Sequence, residues 1–455
     1  MKKIYVMLCL AVVFVSCKNE NKKMENNNQP QIAIKEAITN EALENAVIYE
    51  ANIRQYSPEG TFNEFTKDIP QLKELGVKII WLMPIYPISS TKSKGSLGSY
   101  YAITDYTKVN PEFGNLDDVK HLVETAHENG IYVILDWVAN HTGWDHVWIK
   151  EHPEYYTQNE AGEIIHPEGT DWTDVADLNY NNQEMRAEML EDMKYWLNEV
   201  EVDGFRCDVA GMVPVDFWEH TVAELKKVKP IFMLAEGWEP ELLKNAFDMG
   251  YSWDTHHIMN HIAQGKENVY AWDNRMAQID TLYQKDDILM NFVTNHDENS
   301  WNGTVAERLG DAAEVMTVLE YCTPGMPLIY SGQEYDMNKR LRFFEKDTII
   351  KQKGKFWPIL AKLGELKNTN EALNGGKEAA SYQKINTSNS ENVLVFSREK
   401  EGEKVTFIGN LSPNEVTFSC DIDGKYVDYF SNETVEFSKE KTYTFKPWEY
   451  KVLLD

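Results

Sequence analysis

Gly204-Phe205-Arg206-Cys207-Asp208-Val209-Ala210 is a short apolar run, broken by one arginine, that ends on a carboxylate. Three other segments end the same way. Asp136 closes the apolar run 131–135 and opens Asp136-Trp137-Val138-Ala139-Asn140-His141. Glu236 ends a strand-like run in Leu234-Ala235-Glu236-Gly237-Trp238, and Asp297 follows another in Thr294-Asn295-His296-Asp297-Glu298. A single Asp at a strand end commonly caps the next helix. Four acidic residues at four strand ends, all directed at one mouth, are not what capping predicts.

Outward from these segments, short β-like runs alternate with helical patterns. Strands are expected at 47–53, 77–83, 131–137, 202–208, 231–236, 288–294 and 327–331, with a weaker one in the 251–256 region. Helices are expected near 62–75, 116–129 and 182–199, and a loop-rich insertion of about forty residues follows the third strand. Eight strand–helix units are the count of a (β/α)₈ TIM barrel. The strands are continuously apolar, as expected where both faces are buried. The alternative, a doubly wound open sheet, calls for a Gly-rich phosphate loop after the first strand. Tyr56-Ser57-Pro58-Glu59-Gly60 is not one. After a helical region at 357–373 and Gly375-Gly376, alternation takes over at 393–397, 404–409, 416–420, 442–446 and 450–454, which predicts a C-terminal antiparallel β domain. The expected organisation is a leader at 1–16, a tether at 17–45, a barrel at 46–376 with a short inserted B domain at about 142–180, and a β-sandwich at 377–455.

The chain has 455 residues, of which 42% are hydrophobic and 12% aromatic, enough for a large core and more than one domain. Its formal charge is −28, with 73 acidic against 45 basic residues, so its surface repels nucleic acid and anionic membranes. The 13 Trp and 23 Tyr include faces that suit the apolar C–H patches of sugar rings, although most are expected in the core. At the N-terminus Lys2-Lys3 precedes an apolar run at 4–15 that ends at Ser16-Cys17. The run is too short to span a bilayer and reads as a cleavable signal. The small residue before Cys17 resembles a bacterial lipobox, which makes Cys17 the expected lipidated residue, followed by a polar tether. An exported lipoprotein is therefore expected, periplasmic or at the outer membrane or cell surface, whose membrane partner is engaged only through the anchor. Cys207, Cys322 and Cys420 are isolated and read as buried thiols, and no Cys or His spacing of the metal-binding kind occurs.

Carboxylates on successive strand ends at the C-terminal face of a barrel suit chemistry on a neutral, hydroxyl-rich bond. The four segments resemble the four short sequence regions of the α-amylase family, glycoside hydrolase family 13. Gly76-Val77-Lys78-Ile79-Ile80-Trp81-Leu82-Met83-Pro84 is similar to its second-strand motif. Gly325-Met326-Pro327-Leu328-Ile329-Tyr330-Ser331-Gly332-Gln333-Glu334 is similar to its eighth, and Asp177-Leu178-Asn179 to a motif near the end of its B domain. The motifs occur in order over roughly 46–375.

The resemblance implies that Asp208 is the nucleophile, Glu236 the general acid/base and Asp297 the transition-state stabiliser of a retaining glycosidase, which needs no organic cofactor. Arg206, two residues before Asp208 on one strand, faces the same side and is expected to hold it ionised. Glu236 is expected to have a raised pKa. His141 and His296 match two histidines that hydrogen-bond sugar hydroxyls. Asp136 is expected to support Arg206. Gly98-Ser99-Tyr100-Tyr101-Ala102-Ile103-Thr104-Asp105-Tyr106 resembles the loop that brings a stacking tyrosine under the reacting sugar, which selects Tyr101. Ser99 stands where the family often has His. Trp238 is expected either as a leaving-group platform or as loop packing. Asn140 and Asp177 occupy positions that in the family often bind a structural Ca²⁺; the alternative is that they tie the insertion to the barrel by hydrogen bonds. Gly211 and Met212 replace a common Lys-His pair, removing a lysine that often contacts the leaving-group sugar. The activity implied is hydrolysis of α-1,4-glucosidic bonds in starch-like α-glucans or maltooligosaccharides. An α-glucosidase, an α-1,6-cleaving, cyclomaltodextrinase-like or transglycosylating enzyme uses the same carboxylates. A non-catalytic glucan-binding lipoprotein is the reading outside enzymology.

Overall fold

The computed structural model describes residues 37–455. The expected signal, Cys17 and most of the tether lie outside the described residues. Eight parallel strands close into a barrel in sequential order: β1 (Val47–Ala51), β2 (Val77–Leu82), β3 (Tyr132–Trp137), β4 (Gly204–Cys207), β5 (Phe232–Ala235), β6 (Met249–Tyr251), β7 (Ile288–Asn291) and β8 (Met326–Tyr330). Closure is the β1–β8 pairing, with Ile48 opposite Leu328 and Glu50 opposite Tyr330.

Alternation along each strand makes two apolar layers. Ile48, Ile79, Trp81, Ile134, Leu234 and Met290 fill the barrel interior. Val47, Ile80, Val133, Leu135 and Phe205 belong to a second cluster that also contains helical residues such as Val119, Leu122, Met189, Trp196 and Trp218. Those helices start where the sequence caps them. Asn115 and Asp118 form a capping box for Leu116–Glu128, and the Asn182 side chain accepts from two amides at the start of Gln183–Glu199.

The sixth strand differs from its expected place. It is Met249–Tyr251, and the stretch from Trp253 to Ala263 is a helix. Three residues carry too little periodicity to outweigh the helical pattern beyond them. Tyr251 is nevertheless set against β7, opposite Met290, with its hydroxyl 3.3 Å from Arg206 Nε.

Between β3 and the next helix, His141–Gly143 pairs antiparallel with Val175–Asp177, and a loop-rich excursion lies between them. At the C-terminus, Gln383–Lys384, Val393–Lys400, Glu403–Asn410, Tyr450–Leu454, Gly424–Asp428 and Glu433–Phe437 lie in that order in a six-stranded antiparallel sheet. Val416–Phe418 and Tyr443–Phe445 form a separate ribbon. The strands at 424–428 and 433–437 carry few buried side chains, so their apolar alternation is shorter than that by which the others are legible. Arg398, fully buried, fastens this region to the barrel domain. It donates to the carbonyls of Cys322 (3.1 Å), Asn374 (2.7 Å), Ala380 (3.2 Å) and Ser381 (2.7 Å). The three described cysteines are free and buried. Among the described residues no helix is long and apolar enough to cross a membrane.

Candidate active site

Gly204 opens β4 with φ +147°, and a Cβ there would lie 1.8 Å from the Phe232 carbonyl oxygen. Only glycine lets β4 enter the sheet against β5 in this conformation. From that start, alternation sends Phe205 and Cys207 to the outer layer, and Arg206 to the interior over Trp81, its guanidinium carbon 4.8 Å from the ring centroid. Asp208 follows at the mouth, its amide donating to the Trp137 carbonyl (2.9 Å). Val209 is then held at φ 37°, ψ 48°, a conformation a β-branched residue rarely adopts. This aims its N–H at Glu236 Oε2, 2.7 Å away.

Arg206 is the hub. Its Nη1 donates to Asp136 Oδ1 (2.8 Å) and to Asp208 Oδ1 (3.0 Å). Its Nη2 lies 3.0 Å from Glu236 Oε2, an ion pair without hydrogen-bond alignment. Asp136, on the neighbouring strand, is completely buried and accepts from Trp81 Nε1 and from the Tyr101 hydroxyl, both at 3.1 Å. The structure thus places Asp136 beneath Arg206, away from the cleft that Asp208, Glu236 and Asp297 line.

That cleft has a volume of about 550 Å³ and also takes in Tyr101, His141 and His296. Burial and the neighbouring Glu236 push the Asp208 carboxyl well above its usual range, with Arg206 opposing. Burial also raises Glu236, but Arg206 and the Val209 amide outweigh it and hold Glu236 below its usual value. The raised Glu236 expected from the sequence is therefore not what the structure gives. The two carboxyls hydrogen-bond to each other and titrate as a pair that shares a proton. That proton rests toward Asp208, because Arg206 Nη2 and the Val209 N–H both face Glu236. Burial raises Asp297 too, against the opposing effect of His296, whose Nε2 is 3.3 Å from Asp297 Oδ2.

The two histidines differ. Burial lowers His141 to about 3, so it is neutral, and its Nδ1 faces the Asn140 amide nitrogen at 3.2 Å. His296 is raised to about 9: burial opposes the charge, but Asp297 and Glu50 outweigh it. Its Nε2 is 2.8 Å from the Tyr101 hydroxyl. Ser99, at the departure from the family pattern, uses its hydroxyl internally, accepting from the Tyr101 amide (3.2 Å).

Trp238 is 53% exposed and stands beyond Glu236, outside the residues that line the cleft. The Gly211–Met212 departure has a structural counterpart. A Cβ on Gly211 would lie 2.8 Å from Glu239 Oε1, so a carboxylate sits where a longer side chain at 211 would begin.

Asn140 and Asp177 meet at the base of the inserted ribbon, where the Leu178 amide donates to the Asn140 carbonyl (3.2 Å) and Asp177 pairs with His141. Together they offer one carboxylate and one amide. Among the described residues no group of three or more His, Cys, Asp or Glu is arranged to hold a metal. Calcium takes six to eight oxygens, so these residues do not by themselves fit one.

Several lining residues were missed by sequence reasoning. Lys94 reaches Asp174 (2.9 Å) and the Asp171 carbonyl (3.2 Å), and Trp172 lies 5.6 Å from His141. Trp301, Phe343 and Phe344 form an aromatic wall, in which Phe343 stacks on Tyr101 at 6.2 Å and 14°. Trp301 lies in the short π-helical turn Glu298–Asn302 and the others in loops, where no periodicity marks them. Glu50, in the middle of an apolar strand, contacts His296 at 2.5 Å. Only its charge within that strand could have signalled it.

A closed parallel barrel with Asp208, Glu236 and Asp297 lining one cleft at its C-terminal mouth, the first two in contact with a buried arginine, has the make-up of a glycoside hydrolase. The sequence pattern described as "Alpha amylase, catalytic domain" matches residues 21–392. "Alpha-amylase 3" of Dictyoglomus thermophilum is 25% identical over 476 residues, covering 87% of this chain and 91% of its own. The crystal structure of a noncanonic maltogenic α-amylase from Thermotoga neapolitana superposes with a TM-score of 0.83 at 29% identity, over 91% of this chain and 99% of that one. That of an α-amylase from Lactobacillus plantarum does so with 0.82 at 30%, over the same shares. The chain belongs to the α-amylase family, glycoside hydrolase family 13, and is a glycosidase.

Proposed function

We propose that the protein hydrolyses α-1,4-glucosidic bonds in starch-like α-glucans or maltooligosaccharides, with retention of anomeric configuration. The observation that carries this reading is the reach of Arg206 to Asp136, Asp208 and Glu236 at once, with Asp297 lining the same cleft. Ionised Asp208 attacks the anomeric carbon while Glu236 gives its proton to the glycosidic oxygen. The C–O bond breaks, the shortened glucan leaves, and a glucosyl ester of Asp208 remains. Water then adds to the anomeric carbon and yields a proton to Glu236, and the ester bond breaks to restore the Asp208 carboxylate. Asp297 stabilises the positive charge that develops on the sugar ring in both steps. A bound glucosyl unit must separate Asp208 from Glu236. Arg206, a fixed cation, then holds Asp208 ionised and leaves the shared proton to Glu236.

Preference for short products is a second reading. The aromatic wall of Trp301, Phe343 and Phe344, beside Tyr101 at the cleft edge, favours it, as does the likeness to a maltogenic α-amylase. Product profiles over time on maltoheptaose, amylose, pullulan and cyclodextrin separate these activities. Asp208→Asn is expected to abolish sugar release from all four; undiminished release by that variant would sink the assignment. We further infer that the enzyme works outside the cytoplasm, anchored through a lipid on Cys17, a reading supported by residues 2–17 of the sequence.

A further inference from the structure

Glu50 lies on β1 in the interior of the barrel, with no surface exposed, and its Oε1 is 2.5 Å from Nδ1 of His296. Its other oxygen, Oε2, is buried and has no hydrogen-bond partner among the described residues. A carboxylate in that position costs several kcal/mol unless a cation compensates it. The hydrogen bonds around His296 state what the compensation is. Asp136 receives Arg206 on one oxygen and the obligate donor Trp81 Nε1 on the other, which holds it as the acceptor of the Tyr101 hydroxyl proton. A hydroxyl has one proton to give. The Tyr101 oxygen therefore accepts from His296, 2.8 Å away, and Nε2 of His296 carries hydrogen. Nδ1 faces the carboxylate of Glu50. Burial pushes the Glu50 carboxyl up while His296 opposes that; with Glu50 ionised, both ring nitrogens donate, which describes an imidazolium. His141 makes the contrast: its Nδ1 faces an amide NH₂, and burial alone sets its titration.

We propose that Glu50 is a positioning residue that holds His296 as an imidazolium, its Nε2–H given to the Tyr101 oxygen, so that the cleft has a second cation beside Arg206 whose charge faces the hydroxyls of the bound sugar. The inference rests on the proposed function for its last clause only. The groups that face or act on His296 are Glu50 from β1, Asp297 beside it, Tyr101 from the loop after β2, Asp136 from β3, Arg206 from β4 and Glu236 from β5. At full ionisation the carboxylates of this set outnumber its fixed cation, so removing the one in contact with Nδ1 lowers the affinity of His296 for its proton.

Two measurements test this. With ¹⁵N-labelled histidine, the His296 signals, assigned by their loss in His296→Asn, are expected to show both ring nitrogens protonated at pH 7.5, with titration near pH 9. In Glu50→Gln that midpoint is expected to fall by about two units or more, and in Glu50→Asp by less. In the rate assay, kcat/KM of Glu50→Gln on maltoheptaose is expected to fall at least about 10-fold at pH 8 but less than about 3-fold at pH 5.5, where the imidazole is protonated in either protein. A wild-type Nδ1 without hydrogen would put the proton on Glu50 and overturn the proposal, as would a Glu50→Gln loss of equal size at both pH values. The NMR readout needs no substrate, so it stands even if maltoheptaose is not cleaved.

Discussion

Arg206 concentrates the electrostatics of the site in one side chain. It is fully buried, lies over Trp81, and is within 3.0 Å of three carboxylates contributed by β3 and by the ends of β4 and β5. Replacing it by methionine would leave those carboxylates facing one another without a cation. Removing one partner of a buried ion pair costs about 3–5 kcal/mol, and that loss is expected for Arg206→Met at pH 7.5 in urea unfolding. The sign of its pH dependence follows from the carboxyls. Without Arg206 their folded-state pKa values rise, so the folded variant binds protons that the unfolded chain has released. The deficit therefore grows as pH rises above the ordinary carboxyl range of about 4. Unfolding midpoints at pH 5 and pH 8 check this, and an equal deficit at both would place the energy in packing instead. At this scale the sequence was informative for the residues that stand in motifs. Asp208, Glu236, Asp297, Arg206, Tyr101, His141 and His296 all come to one cleft or its floor. It was silent on Glu50, because a carboxylate within an apolar strand gains meaning only when β1 closes against β8 and brings the His296 loop over it.

Elements decide how sharply those residues are aimed. β4 is four residues long, and its entry depends on Gly204, whose absent side chain admits the Phe232 carbonyl. Gly204→Ala is expected to separate β4 from β5. The expected consequence is a lower melting temperature together with a loss of kcat larger than the loss of bound substrate, since Asp208 and Glu236 sit at the ends of those two strands. A variant with wild-type melting temperature and kcat would show that the sheet absorbs the methyl group. Long, strongly apolar strands were legible from sequence because burial on both faces leaves a continuous run. β6 was misplaced, since three residues do not outweigh the helix that follows, and the strands at 424–428 and 433–437 each bury a single side chain fully, too little apolar pattern to read.

For the molecule as a whole, metal content and membrane attachment each predict a measurable outcome. The sparse donor set at Asn140 and Asp177 leads us to expect that dialysis against EDTA lowers the melting temperature by less than about 2 °C, because a cation bound only by the folded state would stabilise it measurably. A larger drop, reversed by Ca²⁺ but not Mg²⁺, would establish a calcium site there. Lipid anchoring predicts that activity sediments with membranes and that Cys17→Ser moves it to the soluble fraction; soluble activity in the wild type would remove the anchor from the reading.

By itself the sequence determined the barrel, the strand-end carboxylates and the family, because strand burial and short motifs are local properties written in consecutive residues. Tertiary structure decided the rest. Where the shared proton sits, that His296 is charged while His141 is neutral, and which loop aromatics wall the cleft all depend on distances between residues far apart in the chain. Electrostatic interaction and hydrogen bonding act through those distances, and only closure of the barrel fixes them.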